Sequence, residues 1–148
     1  MKEVPNAQDR VFNAEELLRG KPPPRYLVGE VVIDEDGLGL EATALFPSED
    51  KSIGDRGHVN TANYLFAMWS AAHILADING LKETRAISGD WSVSKELKPG
   101  QPVRLIAKVE NGERHQYTAR GVLKAQFLSI DGVSLGKFSS NFIAKVKR

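Results

Sequence analysis

The fold turns on one stretch, Thr61-Ala62-Asn63-Tyr64-Leu65-Phe66-Ala67-Met68-Trp69-Ser70-Ala71-Ala72-His73-Ile74-Leu75-Ala76-Asp77-Ile78-Asn79, with Asn60 before it and Gly80 after it. Asn60 offers a side-chain oxygen to the first turn and Gly80 a C-terminal stop, which predicts one long helix over 61–79. Tyr64, Leu65, Phe66, Met68, Trp69, Ala71, Ala72, Ile74, Leu75 and Ile78 leave it almost no polar face, so it must be buried on most sides. Asn63, Ser70, His73 and Asp77 interrupt the apolar run, whereas a membrane span needs roughly 20 mostly apolar residues.

Upstream, Asn13-Ala14-Glu15-Glu16 has capping-box spacing and predicts a short helix through Leu17 and Leu18 that stops near Gly20. Lys21-Pro22-Pro23-Pro24 imposes an extended connector. Two β-rich runs follow, Arg25 to Asp34 and Leu38 to Phe46, joined through Glu35-Asp36-Gly37 as a hairpin. Pro47 to Asn60 has little periodicity and is expected to be a long, functional loop.

Downstream of the helix the pattern turns β. Thr84 to Leu97 reads as a strand, Lys98-Pro99-Gly100-Gln101 as the turn after it, and Pro102 to Glu110 as a strand with Val103, Leu105, Ala107 and Val109 on one face. Asn111-Gly112 predicts a hairpin into a strand from about His115 to Ser129. Asp131-Gly132 predicts another, into a last strand with Phe138, Phe142 and Val146 on one face. A helix that is apolar nearly all round needs a sheet that curls around it, because a flat face covers only half of it. The expected class is therefore α+β: the hot-dog fold, a curved antiparallel sheet wrapped around one long central helix.

The 148 residues suffice for a single domain, 1–148, with residues 1–24 as N-terminal helix and Pro-rich connector and 25–148 as the core. Twenty Lys and Arg against nineteen Asp and Glu, spread along the chain, give no nucleic-acid footprint. The absence of cysteine removes disulfides, thiolate nucleophiles and Cys-based zinc sites, and fits a reducing compartment. No signal-peptide pattern follows Met1, so the expected location is cytoplasmic, with no membrane partner.

The segment Gly54-Asp55-Arg56-Gly57-His58-Val59-Asn60-Thr61-Ala62-Asn63-Tyr64-Leu65 resembles the loop-to-helix signature of the hot-dog acyl thioesterase and dehydratase superfamily. Ser94 to Ala107 resembles its strand, Pro/Gly turn and returning strand. A closer likeness is to FcoT-type long-chain fatty-acyl-CoA thioesterases, through Arg25-Tyr26-Leu27, Gly57-His58-Val59-Asn60 and Arg85-Ala86-Ile87-Ser88-Gly89-Asp90-Trp91-Ser92. Ser48 to Arg56 lacks the tyrosine that this family carries before the Gly-His pair.

The resemblance implies hydrolysis of a fatty acyl-CoA or acyl-carrier-protein thioester, without metal or cofactor. Such hydrolysis needs an attacking water, a group that orients or deprotonates it, and oxyanion donors, which a helix N-terminus supplies. Gly57 lets backbone approach the acyl carbonyl. Asn60 orients water or carbonyl, or is a plain N-cap. His58 binds the carbonyl or moves a proton, or is a packed loop histidine. Asp55 is the candidate carboxylate by analogy, or a turn former. Tyr64 and Trp91 line an acyl channel or are simple core, and His73 reads as a satisfied core histidine. A lyase acting on an enoyl thioester and a non-catalytic acyl-binding module are the competing functions. The class associates through its sheets with the site at the subunit boundary, which implies a homodimer or higher homo-oligomer.

Overall fold

A computed structural model describes residues 10–47 and 59–147. The elements run in the order β1 (Val11–Asn13), α1 (Ala14–Leu17), β2 (Leu27–Ile33), β3 (Gly39–Ala44), α2 (Thr61–Ile78), β4 (Leu81–Val93), β5 (Val103–Arg114), β6 (Thr118–Leu128) and β7 (Ser134–Val146). The seven strands form one sheet, ordered β1-β2-β3-β5-β6-β7-β4, and every neighbouring pair is antiparallel. The sheet curls around α2, giving the hot-dog arrangement expected from the helix pattern.

Local signals explain most boundaries. Asn13 Oδ1 accepts from the N–H groups of Glu15 and Glu16 and starts α1. The β2–β3 hairpin closes where Gly37, at φ +73°, donates to Asp34 O, and Leu38 N donates to the Asp36 carboxylate. α2 ends at Asn79, whose Nδ2 donates to Leu75 O and Gly37 O, before Gly80 takes φ +68°. Along α2, Tyr64, Ala67, Met68, Ala71, Ile74 and Leu75 are buried; Ala62, Phe66, Asp77 and Ile78 are exposed. Ala14 and Leu18 join the same core, so the N-terminal helix packs as part of it.

Three expectations are corrected. Asn111-Gly112 is not a hairpin: β5 runs on to Arg114, with the register shifted between Glu110 and Glu113. Asn111 takes φ +51°, and an Asn that tolerates the left-handed region serves a bulge as well as a turn. The chain reverses instead at Gln116-Tyr117, where His115 N donates to Thr118 O. The turn expected at Lys98 to Gln101 is present at Pro99-Gly100, but the strands on either side of it are not neighbours, because β4 lies at the sheet edge beside β7 while β5 lies beside β3. The segment 94–102 is a crossover. β4 itself begins at Leu81 and ends at Val93, shifted toward the helix relative to the Thr84 to Leu97 expectation. The short β1 was not anticipated; it pairs with β2 through Val11, Phe12 and Asn13.

Candidate functional site

The N-terminus of α2 is held by a reciprocal pair. Asn60 Oδ1 accepts from Asn63 N at 3.1 Å, and Asn63 Oδ1 accepts from Asn60 N at 3.2 Å, which is a capping box built from two asparagines. Asn63 is 1% exposed, and its Nδ2 donates to Tyr26 Oη at 3.1 Å. Tyr26 thus ties the start of β2 to the first turn of α2, from a backbone at φ +61° that a non-glycine residue adopts only when its surroundings enforce it.

Beneath this turn lies an aromatic floor. The Tyr26 and Phe46 ring centroids are 4.8 Å apart, Phe46 and Tyr64 5.5 Å, Tyr64 and Phe127 4.8 Å, and Tyr64 and Phe138 5.6 Å. Tyr64 is fully buried. Among the described residues its hydroxyl has no hydrogen-bond partner, and burial pushes the phenol pKa up to about 12.

The crossover 94–102 passes beside the same turn. Val59 N donates to Leu97 O at 2.7 Å, and Gly100 N donates to Phe46 O at 2.7 Å. Both ends of the loop expected to carry the chemistry are therefore anchored to one strip of backbone. Asp55, Gly57 and His58 lie outside the described residues. Of the other expected site residues, the structure brings Asn60 and Tyr64 to one helix turn and places Trp91 elsewhere: it is 55% exposed on β4, in register with Phe138 of β7.

Two hollows flank α2, and neither is lined by Asn60 or Tyr64. One, of about 270 Å³, lies between the C-terminal half of α2 and the sheet. The other, of about 370 Å³, runs between Pro22-Pro23-Pro24, the outer side of α2 at Phe66 and Trp69, and β4. His73 lines the second; burial lowers its pKa below the ordinary value, Lys21 adds to the lowering, and Asp77 opposes it. Among the described residues no three His, Asp or Glu side chains converge as metal ligands would, and no helix is long and apolar enough to cross a membrane.

Asn63, Tyr26 and Leu97 have no role in the sequence reading, although the first two lie inside the motifs that carry the family likeness. Asn63 was findable, because it stands three residues after the N-cap, where a capping box places its second member, although Glu or Gln is the usual occupant. Tyr26 and Leu97 reach the site through tertiary contacts that carry no local signal.

Neither a family model nor a curated protein sequence matches the chain. Solved structures do. A hypothetical thioesterase of Streptococcus pneumoniae, solved with coenzyme A, is similar at a TM-score of 0.62 and 11% identity, over 76% of this chain and 82% of that one. The E. coli PaaI protein, from the phenylacetic acid degradation operon, gives 0.61 and 13%, over 74% and 79%. AziG of S. sahachiroi gives 0.59 and 11%, over 78% and 88%. At such identities the likeness is one of fold: the curved antiparallel sheet around a central helix is common to all.

Proposed function

We propose that the chain is a thioesterase that hydrolyses an acyl-CoA or acyl-carrier-protein thioester at the N-terminus of α2. The observation that carries this reading is the doubly capped first turn, Asn60 with Asn63, anchored to Tyr26 and directly following in sequence the segment that contains Asp55, Gly57 and His58. The fold shared with thioesterase structures supports it, as does the residue likeness at Arg25-Tyr26-Leu27, Gly57-His58-Val59-Asn60 and Arg85 to Ser92.

In this reading the first-turn N–H groups outside the capping box, those of Thr61 and Ala62, stabilise the oxyanion, and Gly57 lets the backbone close on the thioester carbonyl. Asn60 orients the attacking water, while His58 or Asp55 takes its proton. As the carbon–sulfur bond breaks, that proton passes to the leaving thiolate, and the products are a free acid and a thiol. Tyr64 forms the floor under this turn, and the exposed Trp91 belongs to the subunit boundary described next.

The working unit is proposed to be a homodimer formed along β4. Among the described strands β4 pairs only with β7, so its other edge is open over thirteen residues. Ile87, Trp91 and Val93 on it are exposed, as is Phe66 on the outer side of α2. An open edge of this length with apolar side chains is a template for a second strand.

The test is a panel of acyl-CoAs of varied length and unsaturation with product identification, on wild type and Asn60→Ser. Serine keeps an N-cap oxygen but lacks the amide, so the helix stays capped to within about 0.5 kcal/mol. Free thiol release that falls at least about tenfold in the variant, with an unchanged melting temperature, is the expected result. An unchanged rate would reduce Asn60 to a cap. A β-adduct without free acid would assign the site to a lyase, and tight binding without turnover to a binding module.

A further inference from the structure

The cavity at the other end of α2 is separate from the site above. Its helical wall begins at Trp69, nine residues beyond Asn60, or roughly 13 Å along the axis at 1.5 Å per residue. Its volume of about 270 Å³ is well above the roughly 150 Å³ that suffices for a dry cavity to take up benzene. Most of its wall is hydrocarbon, from Leu75, Leu81, Leu123 and Phe142 among others. An isolated polar ligand gains nothing there, whereas an alkyl chain or ring does.

The polar groups of the lining are uneven in sign. Arg114 and Arg120 stand with Glu113, two cations against one anion. Arg114 commits one N–H to the Asn79 carbonyl at 2.7 Å, out of the five donors a guanidinium carries. Arg120 Nε lies 4.0 Å from Glu113 Oε2, with both side chains more than half exposed, so this pair is loose. All three sit where β5 turns into β6, whereas the apolar wall runs back under the helix. A hydrocarbon pocket with surplus guanidinium at one end is complementary to an amphiphile with one anionic head.

We infer that this cavity binds a molecule with a single apolar chain or ring and a terminal carboxylate, tail inward and head at Arg114 and Arg120. The inference does not rest on the reaction proposed for the helix N-terminus, and its test involves no thioester. Trp69 lines the cavity and Trp91 is the other tryptophan, so Trp91→Phe leaves Trp69 as the sole reporter.

Fluorescence titration of that variant with octanoate is expected to saturate, and 1-octanol to bind at least about threefold more weakly. Arg114→Gln with Arg120→Gln is expected to weaken octanoate about tenfold and to leave octanol unchanged. Ala76→Phe, which fills the cavity from the helix, is expected to abolish the response; Ala119→Leu does the same from the sheet, and both are scored only with a cooperative thermal transition. Absence of saturation in the reporter variant would overturn the site. Equal affinities for acid and alcohol, or octanoate binding untouched by the arginine changes, would overturn the carboxylate assignment. Full binding in both filled variants would place the ligand elsewhere and overturn the proposal as well.

Discussion

Tyr64 carries a hydroxyl that the aromatic floor does not use. Among the described residues that hydroxyl has no partner, a state that costs roughly 1–3 kcal/mol when buried, and phenylalanine keeps the ring contacts to Phe46, Phe127 and Phe138. Tyr64→Phe is therefore expected to raise stability by about 1 kcal/mol in chemical denaturation and to leave thioester turnover intact; a loss of turnover at unchanged stability would give the hydroxyl a role in the reaction. With its pKa raised, Tyr64 also makes the wild-type fold lose stability as pH climbs from the unfolded value near 10 toward 12, and the variant should lose less there. His73 acts at the other end of the scale. Its folded pKa is lowered, first by burial and then by Lys21, so the unfolded chain binds the proton more readily as pH falls below about 6.5. Melting temperature should drop between pH 7.5 and 5.5, and drop less in His73→Gln; equal slopes would show that other groups set the acid limit. Asn60 as a cap was legible from one residue type before an apolar run, but a Tyr64 hydroxyl without a partner among the described residues was not, because sequence shows that a ring will be buried and not whether its oxygen finds a partner.

At the scale of the elements, α2 depends on its entry. Asn63 holds Asn60 N and Tyr26 Oη at once, from a buried position, and alanine there removes both hydrogen bonds. Asn63→Ala is expected to cost about 2 kcal/mol, seen as a fall in melting temperature of roughly 4–8 °C. Ala62→Ser, on the exposed side of the same turn, should stay within about 0.5 kcal/mol, and a comparable loss there would show a propensity effect rather than a lost network. Elements with a strong local signature were legible: the asparagine-capped helices, the Asp-Gly turns and the alternation of β5 from Val103 to Val109. What failed was the use made of a signal. Asn111-Gly112 has the chemistry of a hairpin, yet Glu113 and Arg114 keep pairing with Arg120 and Ala119, so the same backbone freedom became a bulge. Strand order was likewise hidden, since nothing local in Leu81 to Val93 says that it pairs with β7 and not with β5.

For the whole molecule, β4 carries the unresolved balance between solubility and assembly. Of its thirteen residues Leu81 alone is buried, and Ile87 is 64% exposed. Edge strands are normally blunted by charges and bulges. In β4 these devices are concentrated in the first half, where Lys82 and Glu83 stand and the register with β7 shifts twice, between Lys82 and Arg85 and between Ala86 and Ser88. From Ser88 to Val93 the pairing with β7 is regular, and Trp91 and Val93 share one face. Among the described residues that half of the edge has no neighbouring strand, and in the proposed dimer antiparallel pairing about a two-fold axis would satisfy both edges with the same residues. Ile87→Lys combined with Trp91→Asp alters two exposed side chains and should leave subunit stability within about 0.5 kcal/mol per site, while placing charge where the second strand would lie. Wild type is expected to sediment as a dimer and the double variant as a monomer. If the thioester site lies at the subunit boundary, turnover falls together with the dimer and recovers as protein concentration is raised. A monomeric wild type would remove the dimer outright, and a monomeric variant with full turnover would place the whole site, Asn60 and its loop included, within a single chain.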